Sequence, residues 1–421
     1  MAELKKLSQP HVDAGQGNIS RYSLTAIVQS FRYRNYRFLW SSDGIVGWSL
    51  EIEFLVLGWF ILVESGSPFF VGLMGSLRYI GTLLAPLYGL IGDRYNRSRI
   101  LLVIRVSFST IAIVVLVLSL VGSVQIWHIF VAMTLSGSLR IFDGVTSQSM
   151  VAEIVPRAWL SNAISLSRIT KNTAHIGAAV LGSRLLQTSG LGPSYAVIAV
   201  LHLIGSILTY PIRLERCGQP FTVGLIKGMK QGTIYVWRHD KIPGILFLAF
   251  VVNMTAFPIS TGLLPVIARD LYDAGPQGLA TIAASIAIGA LAAAVLLAWN
   301  NPTPKTGRIL FTSIGCWYLL LLVLVNVDDY LLALFILLAI GFSTSFCMIF
   351  MHSLLLRVTS TRYVGRVIGY RGMAIYGLPI GLFCGGLIAE TIGVRAAITT
   401  NAILGLALTL FAGIRWRGLI R

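Results

Sequence analysis

A chain of 421 residues with 56% hydrophobic and only 12% charged residues, and a mean hydropathy of +0.79, departs from soluble domains, in which roughly a quarter of the residues carry charge. Its apolar runs are too long and too many to be buried strands or core helices, so each reads as a membrane span. The formal net charge of +17 invites a nucleic-acid reading, but the cations sit between the apolar runs, which argues against that class of partner.

Residues 1–35 form a polar, basic tail with Lys5, Lys6, Arg21, Arg32 and Arg34, and they show no short apolar segment followed by a small-residue cleavage site, so no signal peptide is expected. The predicted spans are 36–62, 68–91, 99–122, 126–152, 160–187 and 193–213, followed by 242–268, 276–299, 307–326, 329–356, 363–390 and 394–415. Cations follow every second span: Arg94, Arg97 and Arg99 after the second, Arg157 after the fourth, and Arg213, Arg216, Lys227, Lys230, Arg238 and Lys241 after the sixth. The pattern continues with Lys305 and Arg308, then Arg357, Arg362 and Arg366, then Arg415, Arg417 and Arg421. The alternate connections are nearly free of cations, with Arg269 and Arg395 as exceptions. This positive-inside pattern places both termini in the cytoplasm. The expected fold is an all-α, multi-pass membrane protein with twelve transmembrane helices, located in a bacterial inner or plasma membrane.

Residues 214–241 are the longest and most polar internal connection, with Gly218, Pro220 and Gly224 among their cations. They read as a cytoplasmic linker between a six-helix bundle at 36–213 and a second at 242–421. The halves repeat: Ile176-Gly177 followed by Gly182 in the fifth span recurs as Ile380-Gly381 followed by Gly386 in the eleventh. Small residues are common wherever membrane helices pack closely, but matching positions in both halves indicate a parallel repeat of six spans.

Charges at membrane depth are costly, about 2.5 to 3.5 kcal/mol each on insertion scales, and this chain has many. They are Asp43, Glu51 and Glu53 in the first span, Arg78 in the second, Arg105 in the third, Arg140 and Asp143 in the fourth, and Arg168, Lys171 and His175 in the fifth. The second half contributes Arg371 and the polar Asn253. At 1.5 Å per residue, Glu51 and Arg140 share a level near the bilayer centre, and Arg105 shares a shallower one with Asp143. Glu51 and Glu53 differ by about 200° around a helix turning 100° per residue, so they cannot both face one cavity; Glu51 is the preferred one. Arg168, Lys171 and His175 make one face of the fifth helix basic. His175 has the chemistry of a proton relay, although a lone intramembrane histidine more often bonds one helix to another.

Cys217, Cys316, Cys347 and Cys384 are scattered and suggest neither a disulfide framework nor a zinc site. No phosphate-binding loop, nucleophile elbow or His-Glu-x-x-His motif is present, so neither an enzyme nor nucleotide-driven transport is expected, and no metal or cofactor is called for. Met254, Phe257, Trp317, Tyr318, Phe346, Met348 and Met351 of the second half suggest an aromatic cavity wall opposite the cationic first half. An amphipathic, anionic organic molecule would suit such a cavity.

The connection Gly89-Leu-Ile-Gly-Asp93-Arg94-Tyr-Asn-Arg97-Ser-Arg99 resembles the signature loop of the major facilitator superfamily, with Asn96 in place of a glycine and Ser98 in place of a basic residue. Its counterpart between Asn300 and Arg308 lacks the acid. Arg32 to Trp40, Arg140-Ile-Phe-Asp143, Val155 to Ala163 and Arg362 to Arg366 resemble the branch containing macrolide and siderophore exporters of the enterobactin type. Gly81, Val145 and Ala178 stand where relatives often carry proline, and the last interrupts the Gly-Pro pair of the antiporter signature.

The resemblance implies a two-bundle fold that alternates its access around a midplane site, with spans one and four lining the cavity. It implies that Gly89 and Asp93 form a gate, with Asp93 docked on the amino-terminal end of the eleventh helix, where the helix dipole favours an anion. Arg94 or Arg97 would pair with Glu153 to latch the inner face. In this reading Glu51 or Glu53, with Arg140, Asp143, Arg78, Lys171 and His175, couples protons to substrate, and the expected activity is export of a drug-like or siderophore-like molecule in exchange for protons. An importer of a small nutrient, or a non-transporting sensor or scaffold on the same bundle, are the alternatives.

Overall fold

A helix places all its backbone hydrogen bonds within itself, the condition for crossing hydrocarbon, and the described chain is helical almost throughout. The computed structural model describes residues 29–84, 88, 91, 95–214, 233–299, 306–360 and 363–419. The helices of the first half are α1 (Arg34–Ser65), α2 (Pro68–Tyr79, tightening into a 3₁₀ turn Ile80–Leu84), α3 (Arg97–Leu120), α4 (Ile126–Ile154), α5 (Arg157–Ser189) and α6 (Leu191–Thr209). Those of the second half are α7 (Ile242–Thr255), α8 (Pro276–Trp299), α9 (Thr306–Val325), α10 (Tyr330–Val358), α11 (Val364–Met373 joined through a 3₁₀ turn to Gly377–Thr391) and α12 (Val394–Arg415). Ten candidate membrane spans are present among the described residues; α2 and α5 stand where the second and fifth spans were expected. No strand occurs among the described residues.

Local signals set the ends. Gly66 closes α1 in the left-handed conformation, φ 68°, and its N–H returns to Leu62 O at 3.0 Å, a geometry that suits glycine. Ser67 then caps α2 with Pro68 at its first position, where the missing N–H costs nothing. Asn96 caps α3 and Asp329 caps α10 through their side chains. Beyond α7, Pro258 and Pro265 lack the N–H that a regular ladder needs, and the chain passes into wider π turns at Pro258–Gly262 and Ile267–Leu271.

The solvent is read from which residues are outside. On α3 Val103, Val106, Val114 and Val117 are exposed while Arg105 is fully buried, an arrangement that hydrocarbon stabilises and water does not. Helices approach closely at glycines. A Cβ on Gly137 would lie 2.2 Å from Arg78 O, and one on Gly81 2.3 Å from Ser138 Cα, where α4 crosses α2. The same reciprocal crossing joins α8 and α10 through Gly289, 1.9 Å from Leu338 O, and Gly341, 1.9 Å from Ile286 O. The repeat therefore extends beyond the Gly177 and Gly381 pair, which meet Trp48 of α1 and Met254 of α7 respectively.

Gly341→Val is expected to destroy this crossing, because backbone carbonyls cannot move aside as a side chain can, and overpacking costs about 1–3 kcal/mol even where relaxation is possible. Gly315→Ala, with nothing within 4 Å, should be silent. Size-exclusion profiles of the two detergent-solubilised variants distinguish them: aggregated for the first, monodisperse for the second.

Within the first half α1 packs on α5 and α6, α3 on α6, and α2 on α4; within the second, α8 and α9 pack on α10, and α9 on α12. The halves meet through α2 with α11 and α5 with α8, which are equivalent pairings under the repeat.

Candidate functional site

Between the halves lies a cavity of about 720 Å³ lined from α1, α2, α4 and α5 on one side and from the α7 region, α8 and α10 on the other. Its polar centre is an ion-pair trio. One oxygen of Glu51, Oε1, accepts from an Arg78 guanidinium nitrogen at 3.0 Å and from an Arg140 one at 2.9 Å. The Gly137 crossing makes this possible: it seats α4 on the backbone of Arg78, and Arg140 projects three residues further along. The side chains of Arg78, Glu51 and Arg140 are 3%, 14% and 29% exposed, so the trio is graded from interior to cavity. Phe54 supports it, its ring centroid 3.9 Å from the Arg78 guanidinium carbon, a cation–π contact that needs no second acid. With all three ionised the trio carries one net positive charge.

Glu53 turns the other way, as the angular argument requires. It is 2% exposed and accepts from Tyr195 Oη of α6 at 3.2 Å, so Glu51 is the carboxylate that faces the cavity. Asp143 is also away from it. Arg105, 0% exposed, donates from Nε to Asp143 Oδ1 at 3.1 Å and to Thr209 at 2.8 Å, and it contacts Asp43 and Ser42. Asp43 accepts in turn from Ser147. This cluster ties α1, α3, α4 and α6 together and leaves the guanidinium well satisfied, the condition for a stable buried charge.

Arg97 meets Glu153, the pairing expected from the sequence, and these residues stand on α3 and α4 of the same half. The pair fixes one helix end to another within that half, so any latch between the halves at this end needs a further contact. Gly89, Asp93 and Arg94 lie outside the described residues, as do the side chains of Arg168, Lys171 and His175 on α5.

The aromatic wall expected from the second half is overturned. Trp317 and Tyr318 are fully buried, held by Ser260 and Thr255, and of the seven residues singled out there only Met348 lines the cavity. The aromatic lining comes instead from Phe54 and Tyr79 beside the trio. The opposite wall is mostly small or apolar, with Ser260, Thr261, Thr344 and Ser345 as its polar members: Ala283, Ala287, Ala290 and Ala294 of α8 line it, at helical spacing that was readable in the sequence but carried no charge to draw notice.

The fold and the chain match known transporters. Across 92% of this chain and 98% of its own, the POT family transporter PepTSo superposes with a TM-score of 0.71 at 10% identity. A bacterial homologue of the human lysosomal transporter Spinster, inward-facing and occupied, superposes with a TM-score of 0.68 at 14% identity over 91% of this chain and 97% of its own. Macrolide efflux protein A of Streptococcus pyogenes is 19% identical over 377 residues, covering 86% of this chain and 92% of that protein. The staphyloferrin A transporter of Staphylococcus aureus is 22% identical over 244 residues, covering 57% of this chain and 61% of that protein. The family model described as "Transmembrane secretion effector" matches residues 25–418. The chain therefore belongs to that family of major facilitator transporters, a multi-pass membrane protein and not an enzyme.

Proposed function

We propose that this protein exports an amphipathic small organic molecule by proton-coupled alternating access, with twelve spans in two six-helix bundles at 36–213 and 242–421, a linker at 214–241 and both termini in the cytoplasm. The observation that carries the reading is the placement of Glu51 between Arg78 and Arg140 in a cavity shared by both halves. A carboxylate there can hold a proton or an ionic partner, and its state alters the charge that a substrate meets.

The sign of coupling follows from that charge. Export driven by an inward proton gradient is exchange, so substrate and proton must compete. A cationic or hydrogen-donating group that binds Glu51 in place of Arg140 competes with the proton. An anion bound to Arg78 and Arg140 does the opposite: it relieves Glu51 of its partners and favours a proton on it, so anion and proton travel together. The net positive trio thus supports a second reading, proton-linked import of an anion. In the export reading the apolar body of the substrate rests on the alanine face of α8 while its donor group engages Glu51.

Liposomes containing the purified protein alone, tested with cationic and anionic amphipathic dyes under an imposed proton gradient, separate the two. Export predicts that cationic dyes move against the proton flow and bind more weakly as pH falls. Import predicts that anionic dyes move with the protons and bind more tightly as pH falls. Absence of gradient-driven movement for both classes would refute proton-coupled transport of such molecules.

A further inference from the structure

The two exceptions to the positive-inside pattern, Arg269 and Arg395, have the same local chemistry in the structure and different reach. Arg395, at the start of α12, donates to Val325 O at 3.0 Å at the end of α9 and contacts Asp328. All of these belong to the second half. Arg269, in the π turn Ile267–Leu271, donates to Leu62 O at 2.8 Å in the last turn of α1, an oxygen that also receives Gly66 N–H, and to Gly66 O at 3.1 Å just past that helix, and it pairs with Asp270 at 2.5 Å. This contact crosses between the halves. The carbonyl end of a helix is its negative pole and leaves acceptors unfilled, so a guanidinium there finds both charge and hydrogen-bond acceptors.

Across the same turn, Glu390 at the end of α11 accepts from Phe69 N at 3.4 Å. Phe69 is the second residue of α2, and its N–H is one of the unfilled donors at the positive pole. The α1–α2 turn is therefore gripped from the second half by a cation on its carbonyl end and an anion on its amide end. Packing around the grip is close. A Cβ on Gly58 would lie 3.2 Å from Pro265 Cγ, and one on Gly72 2.4 Å from Leu382 O.

We propose that Arg269 and Glu390 form a charge–dipole latch on the α1–α2 turn that holds the halves together at the end of the bundle away from the basic connections. The inference rests on the alternating-access reading, in which this end must open once per cycle. The turn offers poles without a side-chain ion pair, so the latch releases without stranding a charge: Arg269 retains Asp270, and Glu390 is exposed to water.

The test is a distance measurement that needs no substrate, and its outcome is therefore independent of whether the dyes are transported. Spin labels are placed at Ser123→Cys and Gln277→Cys, one on each half at this end, in a chain whose four native cysteines are replaced by alanine. Arg269→Met and Glu390→Ala are each expected to raise the ratio of long to short distances by roughly tenfold, since a charge-assisted hydrogen bond is lost. Arg395→Met, which removes the equivalent contact inside one half, should leave the distribution unchanged. The proposal is overturned if both latch variants reproduce the parent distribution, or if Arg395→Met shifts it as far as Arg269→Met does.

Discussion

Glu51→Gln is expected to reduce gradient-driven flux in liposomes by about a hundredfold, the equivalent of roughly 3 kcal/mol, the lower end of what breaking a buried ion pair costs. The amide can still accept a hydrogen bond, but it cannot hold the negative charge that Arg78 and Arg140 share. The two guanidiniums then face each other with one less neutralising partner, in a cavity where water screens only Arg140 appreciably. Thermal stability should fall as well. The charge-matched double variant Glu51→Gln with Arg140→Gln retains Arg78 alone and so the original net charge of the trio. It should recover the stability without recovering the flux. Residues in direct contact show coupling of about 0.5–3 kcal/mol, which a double-mutant cycle on unfolding midpoints measures. Full flux in the single variant would remove Glu51 from the coupling role.

Arg105→Met should lower stability markedly. Methionine fills similar volume, yet it leaves Asp43 and Asp143 without the cation that both contact, in a cluster that the guanidinium fills at 0% exposure. Losing a buried cation in this way costs about 3–5 kcal/mol, equivalent for a chain of 421 residues to a fall in the unfolding midpoint of roughly 3–6 °C. Adding Asp43→Asn and Asp143→Asn to Arg105→Met should restore part of it, because the penalty lies in the uncompensated acids rather than in lost volume. Unfolding followed by tryptophan fluorescence in detergent checks both steps. Partial recovery in the triple variant identifies the cluster as a helix clamp; no recovery would mean that Arg105 supplies packing and hydrogen bonds to Ser42 and Thr209 that neutral amides cannot replace.

How much of the site was legible depended on the kind of information each residue carries. Depth along a straight helix is linear in residue number, so the levels of Glu51 with Arg140 and of Arg105 with Asp143 could be read by counting, and the structure brings both pairs together. Rotation between Glu51 and Glu53 was also readable as an angle, but which of the two faces inward depends on where α6 lies, since Tyr195 is what receives Glu53. Arg78 joining the same carboxylate required knowing that α4 crosses α2 at Gly137. Bulk misled in the second half: Trp317 and Tyr318 looked like cavity lining, but their polar atoms find Ser260 and Thr255 inside the bundle.

The sequence by itself determined the solvent, the helices and the family. Hydrocarbon penalises unpaired backbone groups and charges so heavily that apolar length alone reports membrane-crossing helices, ten of which stand among the described residues. Only the tertiary structure decided which charges share a cavity, which are clamps within one half, and that Arg269 reaches across to α1 while Arg395 does not. Those outcomes are set by helix rotation and by close approaches at single glycines, quantities that depend on the neighbouring helix and are not written in the residue's own segment.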